Sequence, residues 1–242
     1  MKKTVITLLL LIITINRVYS DPFQTGNIEF IGKNYQEAEK NYLQDIKTNG
    51  ESYNTLYNLG NLYIEDKQLG KAFYYLQLAK LIDSRDKNLN LLIESVEKEL
   101  NITKGKVPML LLSPRENQIV TLVLILLIAS VIFTINLLKY LKIEDGFTKK
   151  IRQNLLLTLL ILLLFSTVGN IYNWTRLAHD GIVLNREEVK ISPYQDSESG
   201  FTVTEGSKIK WGESFNGFTY ITLDKNNFGW IENKNLGKLW IK

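Results

Sequence analysis

Two stretches of the chain carry no charge: the residues between Glu116 and Lys139, and those between Arg152 and Arg176. Their cores, residues 119–138 and 155–171, are almost wholly apolar. A helix rises 1.5 Å per residue, so about 20 residues cross a hydrocarbon layer of about 30 Å, and both stretches reach that length. A soluble fold would have to bury both helices on every side, and nothing else in 242 residues is large enough to do so. The reading is a transmembrane hairpin with spans at residues 118–138 and 153–174.

The connecting loop, residues 139–152, sets Lys139, Lys142, Lys149, Lys150 and Arg152 against Glu144 and Asp145. Short basic loops stay in the cytoplasm. Both outer ends of the hairpin then face away from the cytoplasm, across an inner (cytoplasmic) membrane. The N-terminus argues for the same placement independently. Lys2 and Lys3 precede an apolar and threonine run over residues 4–15, then Asn16, Arg17 and Val18-Tyr19-Ser20. That order is a secretory signal peptide, residues 1–20, cut after Ser20, and it exports the segment beginning at Asp21. Tyr172 and Trp174 stand where the second span meets the outer interface, as amphipathic rings prefer. Ser166, Gly169 and Asn170, with Ser130 and Asn136 of the first span, are expected to help the helices pack. With no charge inside either span, an ion path or proton relay has no material.

Composition narrows the rest. There is no cysteine, hence no disulfide framework, thiolate metal site or cysteine nucleophile, and there is one histidine, His179. Three of the four excess positive charges are Lys2, Lys3 and Arg17, so a nucleic-acid role has no support. No phosphate-binding loop or dinucleotide fingerprint occurs, and no Gly-x-Ser-x-Gly elbow accompanies His179 and Asp180. The expectation is a non-enzyme without cofactor or metal.

Residues 21–100 compare with themselves at an offset of 34: Gly26-Asn27 with Gly60-Asn61, Tyr35 with Leu69, Ala38 with Ala72, Tyr42 with Leu76. This resembles the tetratricopeptide (TPR) repeat, an all-α architecture in which antiparallel helices pack through small residues. Gly60 and Ala72 would make the close contact. Glu29 and Asp45 depart from the pattern in the first copy, and Ser84 stands where a proline is common. Residues 88–100 read as an amphipathic capping helix. Two copies and a cap are few for a repeat fold, so the segment is expected to lean on a partner or the membrane. The resemblance implies a partner-binding groove lined by Phe23, Asn27 and Phe30 from one copy and by Tyr57, Asn61 and Ile64 from the next. Aromatic rings would supply contact area and asparagine amides would bond a peptide backbone. The alternative is that Asn27, Asn58 and Asn61 satisfy their own neighbours. Phe23, Asn88 and Leu92 occupy the places where a carboxylate-clamping groove has basic residues, which disfavours that mode. Residues 101–117 read as a linker, broken by Gly105, Pro108 and Pro114, with Met109-Leu110-Leu111-Leu112 at the lipid interface.

Beyond the spans, residues 177–242 switch to short β-branched and aromatic runs. Strands are expected at residues 182–184, 189–191, 201–203, 208–211, 218–223 and 229–231, with a polar hairpin turn at residues 224–227. Six strands in about sixty residues suit a small closed barrel. The order, with Pro193, Glu205-Gly206-Ser207 and Gly229-Trp230, resembles a bacterial SH3 domain. Most of its aromatics (Trp211, Phe215, Phe218, Tyr220, Phe228, Trp230, Trp240) are expected in the core, and Tyr194, Phe218 and Trp230 are the candidates for a ligand cleft.

The whole order, with Tyr57-Asn58-Leu59-Gly60-Asn61, Gly70-Lys71-Ala72, Leu112-Ser113-Pro114-Arg115 and Gly229-Trp230, resembles the BatE-type proteins of the bacterial aerotolerance operon. That resemblance implies a multidomain membrane scaffold acting with von Willebrand factor A-type proteins and a MoxR-type ATPase. The other expectation is a cell-wall anchor or sensor that binds peptidoglycan through the SH3-like domain.

Overall fold

The computed structural model describes residues 21–102, 113–141 and 146–239. The signal peptide, Met109 to Leu112, the loop residues Lys142, Glu144 and Asp145, and Trp240 lie outside the described residues. Among the described residues, five helices come first: α1 (Pro22–Ile31), α2 (Tyr35–Asn49), α3 (Tyr53–Glu65), α4 (Leu69–Ile82) and α5 (Lys87–Glu99). Two long helices come next, α6 (Pro114–Tyr140) and α7 (Gly146–Leu177). The chain then turns to strand: β1 (Asp180–Val183), β2 (Glu187–Lys190), β3 (Ser199–Val203), β4 (Lys208–Phe215), β5 (Phe218–Thr222), β6 (Phe228–Glu232) and β7 (Leu236–Lys238).

The 34-residue offset is real in three dimensions. A Cβ on Gly26 would lie 2.7 Å from the Tyr42 ring, and one on Gly60 would lie 2.4 Å from Leu76, so both helix pairs close over a glycine. The turns repeat as well. Lys33, Lys67 and Asn101, spaced by 34, hold φ of 60°, 58° and 53°. After each of the three helices the same pair of bonds closes the turn: Lys33, Lys67 and Asn101 donate three residues back, and Asn34, Gln68 and Ile102 donate five back, to Glu29, Tyr63 and Glu97. Helix α5 is therefore the opening helix of a third copy in register, where the sequence suggests only a cap. Its N-terminus agrees: the Asp86 side chain accepts from Leu89 N, as the Ser52 side chain, 34 residues earlier, accepts from Thr55 N. Helix α1 has Pro22 in its first turn, where the missing N–H costs no bond, and the Asp21 side chain accepts from Phe23 N.

The sheet is wholly antiparallel, in the order β3-β2-β6-β5-β4-β1-β7. In a flat sheet β3 and β7 would stand about 29 Å apart at 4.8 Å per strand. Yet Val203 of β3 and Leu236 of β7 share one buried cluster with Val183, Val189, Ile209, Ile221 and Ile231, one residue from every strand. The sheet must curl to bring them together. Each of the six expected strands is present, and β7, missed in the sequence, completes the set. At the turn before β6, Asp224 Oδ1 accepts from the backbone of Asn226 and Asn227.

Strand β1 is buried on both faces. Alternation sends Val183 into the sheet's cluster and Ile182 into the helical one, beside Leu56, Phe73, Leu76 and Leu239. The sheet is thus docked on the helices, where the sequence leaves it on a tether. Glu205 accepts from Gly70 N (3.3 Å), in the first turn of α4, which has no side-chain cap of its own. Tyr74 lies against Gly237, where a Cβ would come within 2.4 Å of its ring. Lys208 pairs with Glu97 (3.3 Å) and lies 5.1 Å from the Phe73 ring centroid.

Helices α6 and α7 are both long and apolar enough to cross a membrane. Pro114, expected to break helix, instead opens α6, where its missing N–H costs no bond; Ser113 and Glu116 close a capping box around it. An antiparallel hairpin sets the start of α6 beside the second half of α7. Asn117 Nδ2 donates to the Ser166 carbonyl (3.1 Å), the Thr121 and Ser166 hydroxyls lie 2.7 Å apart, and Asn170 Nδ2 donates to Thr121 (2.7 Å). Gly169 lets Asn117 approach. Ser130 and Asn136 take no part: both are exposed, and Asn136 bonds back to Ile132 of its own helix (3.0 Å).

Candidate binding surfaces

The six helical candidates fall on one stripe of α1 and one of α3, all half-buried. Asn27 Oδ1 accepts from the Tyr42 hydroxyl and from Asn58 Nδ2, both at 2.8 Å. It ties the first copy to the second and engages that oxygen twice, so that only its Nδ2 is left for a ligand. Asn61 Nδ2 donates to the Tyr57 carbonyl (3.2 Å) on its own helix. Phe23 packs on Tyr42 and Phe30 on Tyr35, at 6.1 and 6.0 Å between centroids. Tyr57 stacks on Tyr53 at 5.8 Å, and Ile64 packs against both helical cores. The third copy extends the stripe: Leu91, Ser95 and Lys98 stand 34 residues after Tyr57, Asn61 and Ile64, and all are exposed. One more step along the same offset would have found them.

Behind the stripe, the polar groups are used up by the fold. The buried Asp45 carboxylate accepts from Thr55 Oγ1 (2.5 Å) and Asn49 Nδ2 (2.7 Å), which explains how an acid fits where a small apolar residue is expected. Tyr63 donates to Glu39 (2.6 Å) and stacks on Tyr75. Burial above all, then the charge of Glu39, pushes the Tyr75 phenol up to about 12.

On the sheet, the three cleft candidates separate. Phe218 is only 5% exposed and offers almost no surface to a ligand. Tyr194 is exposed and meets Phe215 edge-on at 6.5 Å. Trp230 belongs to another row, edge-on to Tyr220 at 5.4 Å, with Phe228 of the same strand 6.3 Å from the Tyr220 ring. Gly229 lets this row form: at φ 156° its Cβ would lie 2.6 Å from the Lys190 carbonyl oxygen.

One concavity is not legible in the sequence. A cleft of about 880 Å³ opens where helices, hairpin and sheet meet. Lys47, Glu51 and Tyr74 line it from the helical side, and Trp174 and Ala178 from the end of α7. The sheet adds Trp211, Leu236 and Lys238, whose Nζ sits 3.9 Å above the Trp211 ring centroid. His179 does not pair with Asp180: its Nδ1 lies 3.0 Å from the Trp211 carbonyl, while Asp180 pairs with Lys210 (2.5 Å). Among the described residues, no group of three or more metal-ligating side chains gathers anywhere. Only tertiary contact assembles the cleft, since its walls come from three separate stretches, residues 46–74, 174–178 and 211–238. Searches for relatives among family models, curated proteins and solved structures return no match.

Proposed function

We propose that the protein is a membrane-anchored extracytoplasmic scaffold, BatE-like, that binds protein partners through a TPR-like helical groove and an SH3-like domain. The observation that carries this reading is the third copy of the 34-residue turn, which extends the stripe of α1 and α3 onto α5. Three successive opening helices offer a continuous face of aromatic and apolar side chains, Phe23, Phe30, Tyr57, Ile64 and Leu91, while the sheet docks on α4 and the end of α5. Such a face suits a peptide or helix that lays apolar anchors along it. Following the BatE resemblance, the partners are von Willebrand factor A-type membrane proteins and a MoxR-type ATPase complex.

The experiment is capture of the co-encoded proteins by the full-length chain solubilised in mild detergent. Tyr57→Ala with Leu91→Ala should abolish capture, and undiminished capture would remove the groove from the account. Alkaline phosphatase fused after Lys242 should be active and fused at Asp145 inactive; the reverse pattern would overturn the extracytoplasmic placement. The exposed Tyr194–Phe215 pair favours a second reading, peptidoglycan binding, because flat rings stack on sugars. Retention of the full-length chain on insoluble wall material, lost in Tyr194→Ala, would support it.

A further inference from the structure

We infer that the cleft between the helices, the end of α7 and the sheet holds one anionic phospholipid, with its phosphate between Lys47 and Lys238 and its glycerol and first acyl carbons against Trp174 and Ala178. The inference rests on the reading of α6 and α7 as membrane-spanning. The second apolar stretch runs from Lys149 to Thr175, so Trp174 lies in its last turn. That turn stands at the depth where hydrocarbon gives way to headgroups, the level that tryptophan prefers. A cleft walled by this turn is open to a lipid arriving sideways from the outer leaflet, which need not leave the bilayer.

The lining matches an amphiphile. Rings and aliphatic groups make up most of it, and the charged groups are two lysines against one carboxylate, Glu51. An ammonium held over the Trp211 ring at 3.9 Å is poised for a phosphate, since the ring orients the cation without neutralising it. About 880 Å³ lies within the size range of ligand pockets and exceeds what a free phosphate needs.

The test is native mass spectrometry of the full-length chain in mild detergent, with phosphatidylglycerol or phosphatidylcholine added. One phosphatidylglycerol should stay bound, with roughly five- to tenfold preference over phosphatidylcholine, the effect of one net positive charge or slightly more at an anionic headgroup. Lys47→Gln with Lys238→Gln should erase the preference, and Ala178→Trp, which crowds the cleft where the acyl carbons would lie beside Trp174, should weaken retention of both lipids. Equal retention of both lipids by the unaltered chain, retention of neither, or a preference that survives the double change would overturn the inference. Alkaline carbonate extraction separates the two levels. A chain washed off membranes overturns the spanning reading and the inference with it; a chain that stays without lipid preference overturns the inference alone.

Discussion

If the helices draw stability from the docked sheet, Ile182→Ala must be felt in α3 and α4. Ile182 is fully buried, with its side chain in the cluster that holds Leu56, Phe73 and Leu76. Alanine removes three carbons, about 2.4 kcal/mol at roughly 0.8 kcal/mol each. The cavity left between two packed bodies raises the cost to about 3 kcal/mol. At 1.4 kcal/mol per tenfold, the opening equilibrium of the helical segment should rise about 100-fold. Hydrogen exchange read by mass spectrometry on peptides of the full-length chain measures this directly. Val189→Ala is the control: Val189 is equally buried but lies in the sheet's own cluster. It should quicken exchange in β2, β3 and β6 with much less effect on α4. Wild-type exchange rates in α3 and α4 of Ile182→Ala, with the sheet alone loosened, would refute a shared core.

Other outcomes rest on single contacts. Gly60→Ala drives a methyl to 2.4 Å from Leu76 and should cost about 1–3 kcal/mol, a fall of several degrees in the midpoint of thermal unfolding. Thr55→Val strips the buried Asp45 carboxylate of its closest donor and should cost about 1–3 kcal/mol by denaturant titration; adding Asp45→Ala should recover much of it. Asp86 is held below the ordinary aspartate range, first by the Leu89 N–H and then by the Tyr53 hydroxyl. A lowered folded value contributes stability above the unfolded value, and this stability is lost as pH falls through the folded one. Exchange in α5 should therefore quicken below about pH 4, and Asp86→Asn should flatten that dependence.

Much of the architecture is legible in local pattern. The hairpin follows from charge-free length alone, and the strands of residues 180–232 follow from alternation between turn residues. The 34-residue offset announces the helix pairs through Gly26 and Gly60. The third copy is harder to read because its marker is a backbone conformation: lysine and asparagine adopt positive φ at Lys33, Lys67 and Asn101, and neither Lys33 nor Lys67 advertises it. Asn27 illustrates the same limit at the groove. Its type suits ligand binding, yet the approach of Tyr42 and Asn58 from other helices consumes its carbonyl. Phe218 is equally ambiguous, since an aromatic on a strand reads the same whether it faces solvent or neighbours.

The chain's own order of residues settles which segments are helix, strand and apolar span, because periodicity, caps and uncharged length act over a few turns at most. Folding in space decides what those segments do to each other. Ile182 joins the helical core, Glu205 caps a helix 135 residues away, and the cleft beside Trp174 gains walls from three parts of the chain. Such contacts depend on which faces are left apolar after local structure has formed, and on the single arrangement that buries them together.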